Sequence, residues 1–240
     1  MTGSKTDYAV ATQWESYLAE QARVCRTPVL KRFYAAGMSP ADTPLAELPL
    51  VAMDFETTGL DPHHNEIISI GLVPFTLAGI RPADGYYQVI KPSGPLTEAS
   101  ITLHRITHSQ VAQAPPLPQV LDEVIGQLIG RVVVVHYRGI ERPFLNRAAE
   151  RVWGEHCLFP LIDTMAIEAR WERETWSKKV RHWLGMQSAS IRLGDSRQRY
   201  GLPAYSCHHA KLDAVATAEL FIAQVARHYS SETPVGTLWD

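Results

Sequence analysis

Apolar residues change their spacing several times along this chain, and each change marks an element. Leu48, Leu50, Val51, Ala52 and Met53 form a near-continuous apolar run, the pattern of a buried strand, and Asp54, Phe55 and Glu56 follow it. Ile67, Ile68, Ile70, Leu72 and Val73, within Glu66–Phe75, predict a second strand and Tyr86–Ile90 a third, joined as an antiparallel meander. The polar turn Asp61-Pro62-His63-His64-Asn65 separates the first two. Leu117, Val120, Leu121, Val124, Ile125 and Leu128 make one stripe of an amphipathic helix closed by Gly130. Val132–Val135 is β-branched throughout and predicts a strand covered on both faces. A helix carrying Phe144, Leu145, Ala148, Ala149 and Val152 comes next, then a short strand into Leu161–Thr164 and a last helix from about His209 to Ala226. This order predicts an α/β fold with a mixed five-stranded sheet and helices on both faces.

Ahead of the first strand, Trp14, Tyr17, Leu18, Ala22 and Val24, then Val29, Leu30, Phe33 and Tyr34, keep helical spacing until Pro40 and Pro44 interrupt it. Residues 1–47 are therefore expected to form a helical extension, 48–228 the main domain and 229–240 a short tail. A short amphipathic segment needs tertiary contacts. The extension is expected to rest on its own core, with docking on a protein partner or a second copy as the alternative.

Composition adds little to the fold but narrows the setting. Hydrophobic residues at 45% and charged residues at 20% of 240 describe an ordinary globular chain. Cys25, Cys157 and Cys207 stand far apart, which argues against a disulfide framework or a zinc ribbon. The absence of a signal pattern and of an 18-residue apolar run predicts a cytoplasmic protein without a membrane span. The net charge of −2 hides an asymmetry: from Arg131 to Asp213, 14 Lys and Arg face 9 Asp and Glu. Within that stretch Trp171, Trp176 and Trp183 alternate with basic residues, a composition that suits nucleic-acid bases as well as core burial.

The chemistry begins at Asp54 and Glu56. Strand residues alternate faces, so these two carboxylates leave on one side and Phe55 on the other. A cation between them, or a strand end fraying into solvent, would relieve their repulsion. Three later segments carry further reactive groups: His104-Arg105-Ile106-Thr107, His136–Leu145, and His208–Asp213 running into Ala214–Phe221.

Asp54-Phe55-Glu56-Thr57-Thr58-Gly59-Leu60, and His208 five residues before Asp213, resemble the first and third motifs of the DEDDh 3′–5′ exonucleases. That superfamily includes the proofreading subunit of bacterial DNA polymerase III, and the resemblance spans about residues 48–226. It implies an RNase H-like fold and release of nucleoside 5′-monophosphates from a nucleic acid with a free 3′ end, single-stranded DNA in the first instance. Asp54, Glu56 and Asp213 would hold two Mg²⁺ or Mn²⁺ ions, as hard cations want oxygen ligands. His208 would be the general base, and His209 a bystander. Asp163-Thr164 and Arg199-Tyr200-Gly201 match framework positions.

The second motif departs from the family's His-Asn-Ala-x-Phe-Asp-x-x-Phe-Leu. Here Tyr137, Arg138 and Ile140 replace Asn, Ala and Phe, and Glu141 replaces the fourth acid, reaching about 1.5 Å further. Arg105 likewise stands where glycine is usual. Glu141 is expected to serve as the fourth metal-site acid, and Phe55, Thr57, His104, Arg105 and Arg138 to contact substrate. The alternatives are a weakened module that only binds nucleic-acid ends, or an exonuclease of short RNA. Only about a dozen residues follow the last helix, so a free-standing enzyme, or one docked through residues 1–47, is expected.

Overall fold

The apolar run that opens the domain becomes β1 (Leu50–Thr57), the middle strand of a mixed sheet. The structure, a computed structural model, describes residues 11–94, 106–174 and 189–239. β2 (Ile67–Thr76) lies antiparallel to β1, and β4 (Tyr86–Val89) antiparallel to β2. β5 (Val132–Val135) adds parallel to β1, and β6 (Leu161–Asp163) parallel to β5. To the five strands expected, the structure adds the two-residue β3 (Gly79–Ile80), which folds back on Phe75 and Thr76 and is too short to leave a periodic signal. The strand order is β3-β2-β1-β5-β6, with β4 also on β2.

Eight α-helices are described: α1 (Ala11–Val24), α2 (Pro28–Ala35), α3 (His108–Gln113), α4 (Leu121–Leu128), α5 (Arg138–Trp153), α6 (Thr164–Glu174), α7 (Leu193–Arg199) and α8 (Ala210–His228). The stripe expected from Leu117 begins as a separate 3₁₀ turn at Leu117–Gln119, where Pro118 removes a backbone donor, and α4 proper follows. Among the described residues no helix is long and apolar enough to cross a membrane.

The pleat of β1 sorts the core into two halves. Val51, Met53 and Phe55 face α2, α4 and α5, burying Leu30, Tyr34, Val124, Ile125 and Leu145. Leu50 and Ala52 face the other way, onto Ala214, Ala218 and Phe221 of α8. The extension rests on the first half: Leu18, Val29, Leu30, Phe33 and Tyr34 are buried there. Glu155 fastens it, accepting the backbone N–H groups of Arg26 and Thr27 at 2.7 and 2.9 Å.

The expected tail is woven into the second half. Val235 and Leu238 are buried, Pro234 bridges Pro44, and Trp239 bridges Ile162. Leu45 N–H donates to Thr233 O at 3.1 Å and Val235 N–H to Thr43 O at 3.0 Å. This closure depends on pairing across most of the chain, which local spacing does not reveal.

Candidate active site

β5 covers β1 only from Leu50 to Ala52, whereas β2 continues alongside it to Thr57. The last turn of the pleat therefore projects beyond the parallel half of the sheet. Asp54 and Glu56 share the face of Leu50 and Ala52, the face on which α8 lies. What brings α8 close is Gly71, the cross-strand partner of Asp54. A Cβ on Gly71 would stand 2.3 Å from the carbonyl of Ala210 and 2.4 Å from the amide nitrogen of Lys211. The bare backbone thus lets the first turn of α8 sit directly on β2, and Asp213 in that turn meets the two acids. One carboxylate oxygen from each of Asp54, Glu56 and Asp213 lies within 4.8 Å of the others.

Such crowding is electrostatically costly for the protein alone. Burial, then the charges of Asp213, Glu141 and Glu56, push Asp54 well above the usual carboxylate range. Burial also raises Asp213, although the Tyr205 hydroxyl donates to its Oδ1 at 2.7 Å and the His209 N–H to its Oδ2 at 2.8 Å. Three hard oxygen donors held together in this way fit a divalent ion of the Mg²⁺ or Mn²⁺ kind.

The trio opens on a cavity of about 780 Å³ also lined by His136, Arg192, Gln198, Tyr205, Cys207 and His208. His208 is exposed at its rim, on left-handed backbone with φ 67°. His209 turns away to stack on Tyr87, ring centroids 4.3 Å apart. It is no bystander to the backbone, for its N–H holds Asp213. His136, expected only as the head of the second motif, is half-buried, and its desolvation pushes it down to about 4. The ring places Nε2 at 3.1 Å from the Ile191 carbonyl, to which it donates, and Nδ1 at 2.9 Å from the hydroxyl of Thr164, which itself donates to Val135 O at 2.9 Å.

Glu141 stands beside the trio, outside the set gathered within 4.8 Å. It is 2% exposed and accepts the Phe55 N–H, on the edge of β1 that β5 leaves uncovered. Its Oε2 has no hydrogen-bond partner, and burial, with the charges of Asp163 and Glu56, drives its proton affinity well up. Asp163 serves the backbone instead. It accepts the N–H groups of Tyr137, Arg138 and Met165 and so starts both α5 and α6.

The expected substrate contacts are scattered. Phe55 belongs to the opposite core and only borders the cavity. Thr57 donates its hydroxyl to Gly59 O at 2.7 Å, holding the turn. Arg138 lies 3.8 Å from Asp163, away from the cavity lining. His104 and Arg105 lie outside the described residues. Tyr205, Gly71 and Arg192 were not singled out in the sequence. Only Gly71 carried a signal, as a lone glycine within a strand.

A strand ending in two acids, met by a third from the last helix, defines a site suited to divalent ions in phosphodiester chemistry. Residues 51–221 match the family model RNase_T, described as exonuclease; the chain belongs to that family and by that membership is a nuclease. It is 31% identical over 181 residues to a DNA polymerase III PolC-type protein of Thermotoga maritima, covering 75% of this chain and 12% of that protein. It is 31% identical over 183 residues to a DNA polymerase III subunit epsilon-like protein of Rhodobacter capsulatus, covering 76% of this chain and 24% of that one. The chain therefore spans only a minor part of these relatives. In fold it is similar to the nuclease domain of 3′hExo, a DEDDh family member, with TM-score 0.59, 20% identity, and 80% and 96% of the two chains covered. Cell-death related nuclease 4 superposes with TM-score 0.62 at 18% identity, covering 77% of this chain and 65% of that one.

Proposed function

We propose that this chain is a divalent-metal-dependent 3′–5′ exonuclease that releases nucleoside 5′-monophosphates, with single-stranded DNA as its preferred substrate. The observation that carries the reading is the convergence of Asp54, Glu56 and Asp213 on the floor of a cavity in an exonuclease-family chain. In this reading these three acids hold two Mg²⁺ or Mn²⁺ ions, which when bound polarise phosphoryl oxygens and acidify water. An imidazole nitrogen of His208, at the edge of the cavity, takes the proton of the attacking water. Its exposed place at the cavity rim lets that proton pass on to solvent. Glu141 is the fourth acid, acting from beside the trio through its unpartnered Oε2. Arg192 on the cavity wall offers a cation to a backbone phosphate. Residues 48–228 form the nuclease unit.

The test uses single-stranded DNA, duplex DNA and RNA, each labelled at the 5′ end, with Mg²⁺, Mn²⁺ or EDTA. The labelled strand is expected to shorten one nucleotide at a time with metal and to persist in EDTA. Asp54→Asn and Asp213→Asn are expected to lose at least about a hundredfold in rate, the upper range for removing a mere outer-shell partner. Immediate release of the 5′ label as a mononucleotide would reverse the polarity. Near-wild-type rates in either variant would remove the metal assignment.

A further inference from the structure

Tyr205 belongs to no motif, yet it touches the acid that α8 contributes. It lies in the loop between α7 and α8, half-buried, and its hydroxyl donates to Asp213 Oδ1 at 2.7 Å. The ring is not left to swing. The Arg197 guanidinium carbon sits 4.8 Å from its centroid. Arg197 is 2% exposed and is anchored in turn: Nη1 donates to Ala216 O at 2.9 Å and pairs with Glu219 at 2.7 Å, and Nη2 donates to Pro203 O at 3.0 Å. One buried arginine thus joins the body of α8 to the loop that carries Tyr205, and its planar, multiply bonded head gives the ring a stiff backing.

The geometry points to Tyr205 as a positioning residue for Asp213, with Arg197 fixing Tyr205 in turn. This rests on the reading of Asp213 as a metal ligand. An ionised carboxylate has about four lone-pair sites. Tyr205 and His209 engage one on each oxygen, which fixes the rotation of the carboxylate and leaves the remaining sites directed at the cavity. A ligand already oriented when the ion arrives binds it more tightly than one that must first be ordered.

The experiment compares the full chain with Tyr205→Phe, which keeps the ring over Arg197 and removes a single oxygen. Mn²⁺ is titrated into each by calorimetry, thermal unfolding is followed in EDTA, and the Mn²⁺ concentration giving half-maximal rate is recorded. Tyr205→Phe is expected to bind Mn²⁺ about tenfold or more weakly, with half-activation shifted in proportion and the metal-free melting temperature unchanged. Equal Mn²⁺ affinity in the two proteins overturns the assignment. A lower metal-free melting temperature for Tyr205→Phe also overturns it, making Tyr205 a packing residue. A wild-type chain that takes up no Mn²⁺, matching Asp213→Asn, brings down the metal reading of the trio itself, and this inference falls with it.

Discussion

Tyr137 holds a backbone conformation that its side chain does not favour. Its φ of 86° lies in the left-handed region, where a residue with Cβ is disfavoured by roughly 1–2 kcal/mol. Asp163 imposes that conformation by accepting the N–H groups of both Tyr137 and Arg138, at 2.9 and 3.0 Å. The ring, half-exposed, folds back over Gly139, where a Cβ would stand 2.6 Å from it. Asparagine, usual at this position in the family the motif resembles, tolerates left-handed backbone. Tyr137→Asn is therefore expected to stabilise the chain by about 1 kcal/mol, a rise of about 2–4 °C in Tm read in EDTA. A fall in Tm would show that the ring's packing outweighs the backbone. At this scale the sequence named Asp54, Glu56, His208 and Asp213 because two short motifs, one on a strand and one at a helix start, resemble the exonuclease pattern, and the structure brings Asp54, Glu56 and Asp213 together. Tyr205 was not legible, since its contact is made by an irregular loop whose course no periodicity describes.

Among elements, the contact that assembles the site is the first turn of α8 on β2. Gly71→Ala would drive a methyl group against the backbone of Ala210 and Lys211, atoms that cannot rotate aside. The helix must move, at a stability cost of about 1–3 kcal/mol. A shift of about 1 Å in Asp213 is expected to cost about a hundredfold in rate. Gly126→Ala in α4 is the control: nothing lies within 4 Å, and replacing a helical glycine is expected to gain roughly 0.5–1 kcal/mol. Melting curves and rates for the pair separate a displaced helix from a general dislike of change. The five longer strands and helices α1, α2, α4, α5 and α8 were readable from period and β-branching, whereas β3, α3, α6 and α7 were not. What rests on β2 was not, because Gly71 announces a close approach without naming the partner more than a hundred residues away.

For the whole molecule, the buried acids and His136 give stability opposite dependences on pH. The folded forms of Asp54, Glu141 and Asp213 keep protons that the unfolded chain releases. Their contribution to stability therefore falls as pH rises above the ordinary carboxylate range, about 4. His136 works the other way: its folded value of about 4, against 6.5, lets the unfolded chain take the proton first. Its contribution is lost as pH falls from 6.5 towards 4. In EDTA, the stabilising effect of Asp54→Asn over wild type is expected to grow with rising pH, and Mn²⁺ should erase that trend. His136→Gln should flatten the acid side alone. Denaturant midpoints measured from pH 4 to 9 check both limbs, and parallel curves for wild type and Asp54→Asn would contradict the first.

The seam between Thr43 and Val235 has a consequence for how the protein is made. A ribosome adding about 5–20 residues per second finishes Val235 roughly 10–40 s after Thr43. Throughout that interval Leu45 and Leu48 lack the Val235 and Leu238 side chains that later share their core. Asp213 also arrives late, after every strand of the sheet has emerged. Until residue 213 has been added a nascent chain therefore carries two of the three acids, and until Leu238 has been added this half of the core stays open. The order of synthesis thus keeps the acid trio apart until the last helix has emerged.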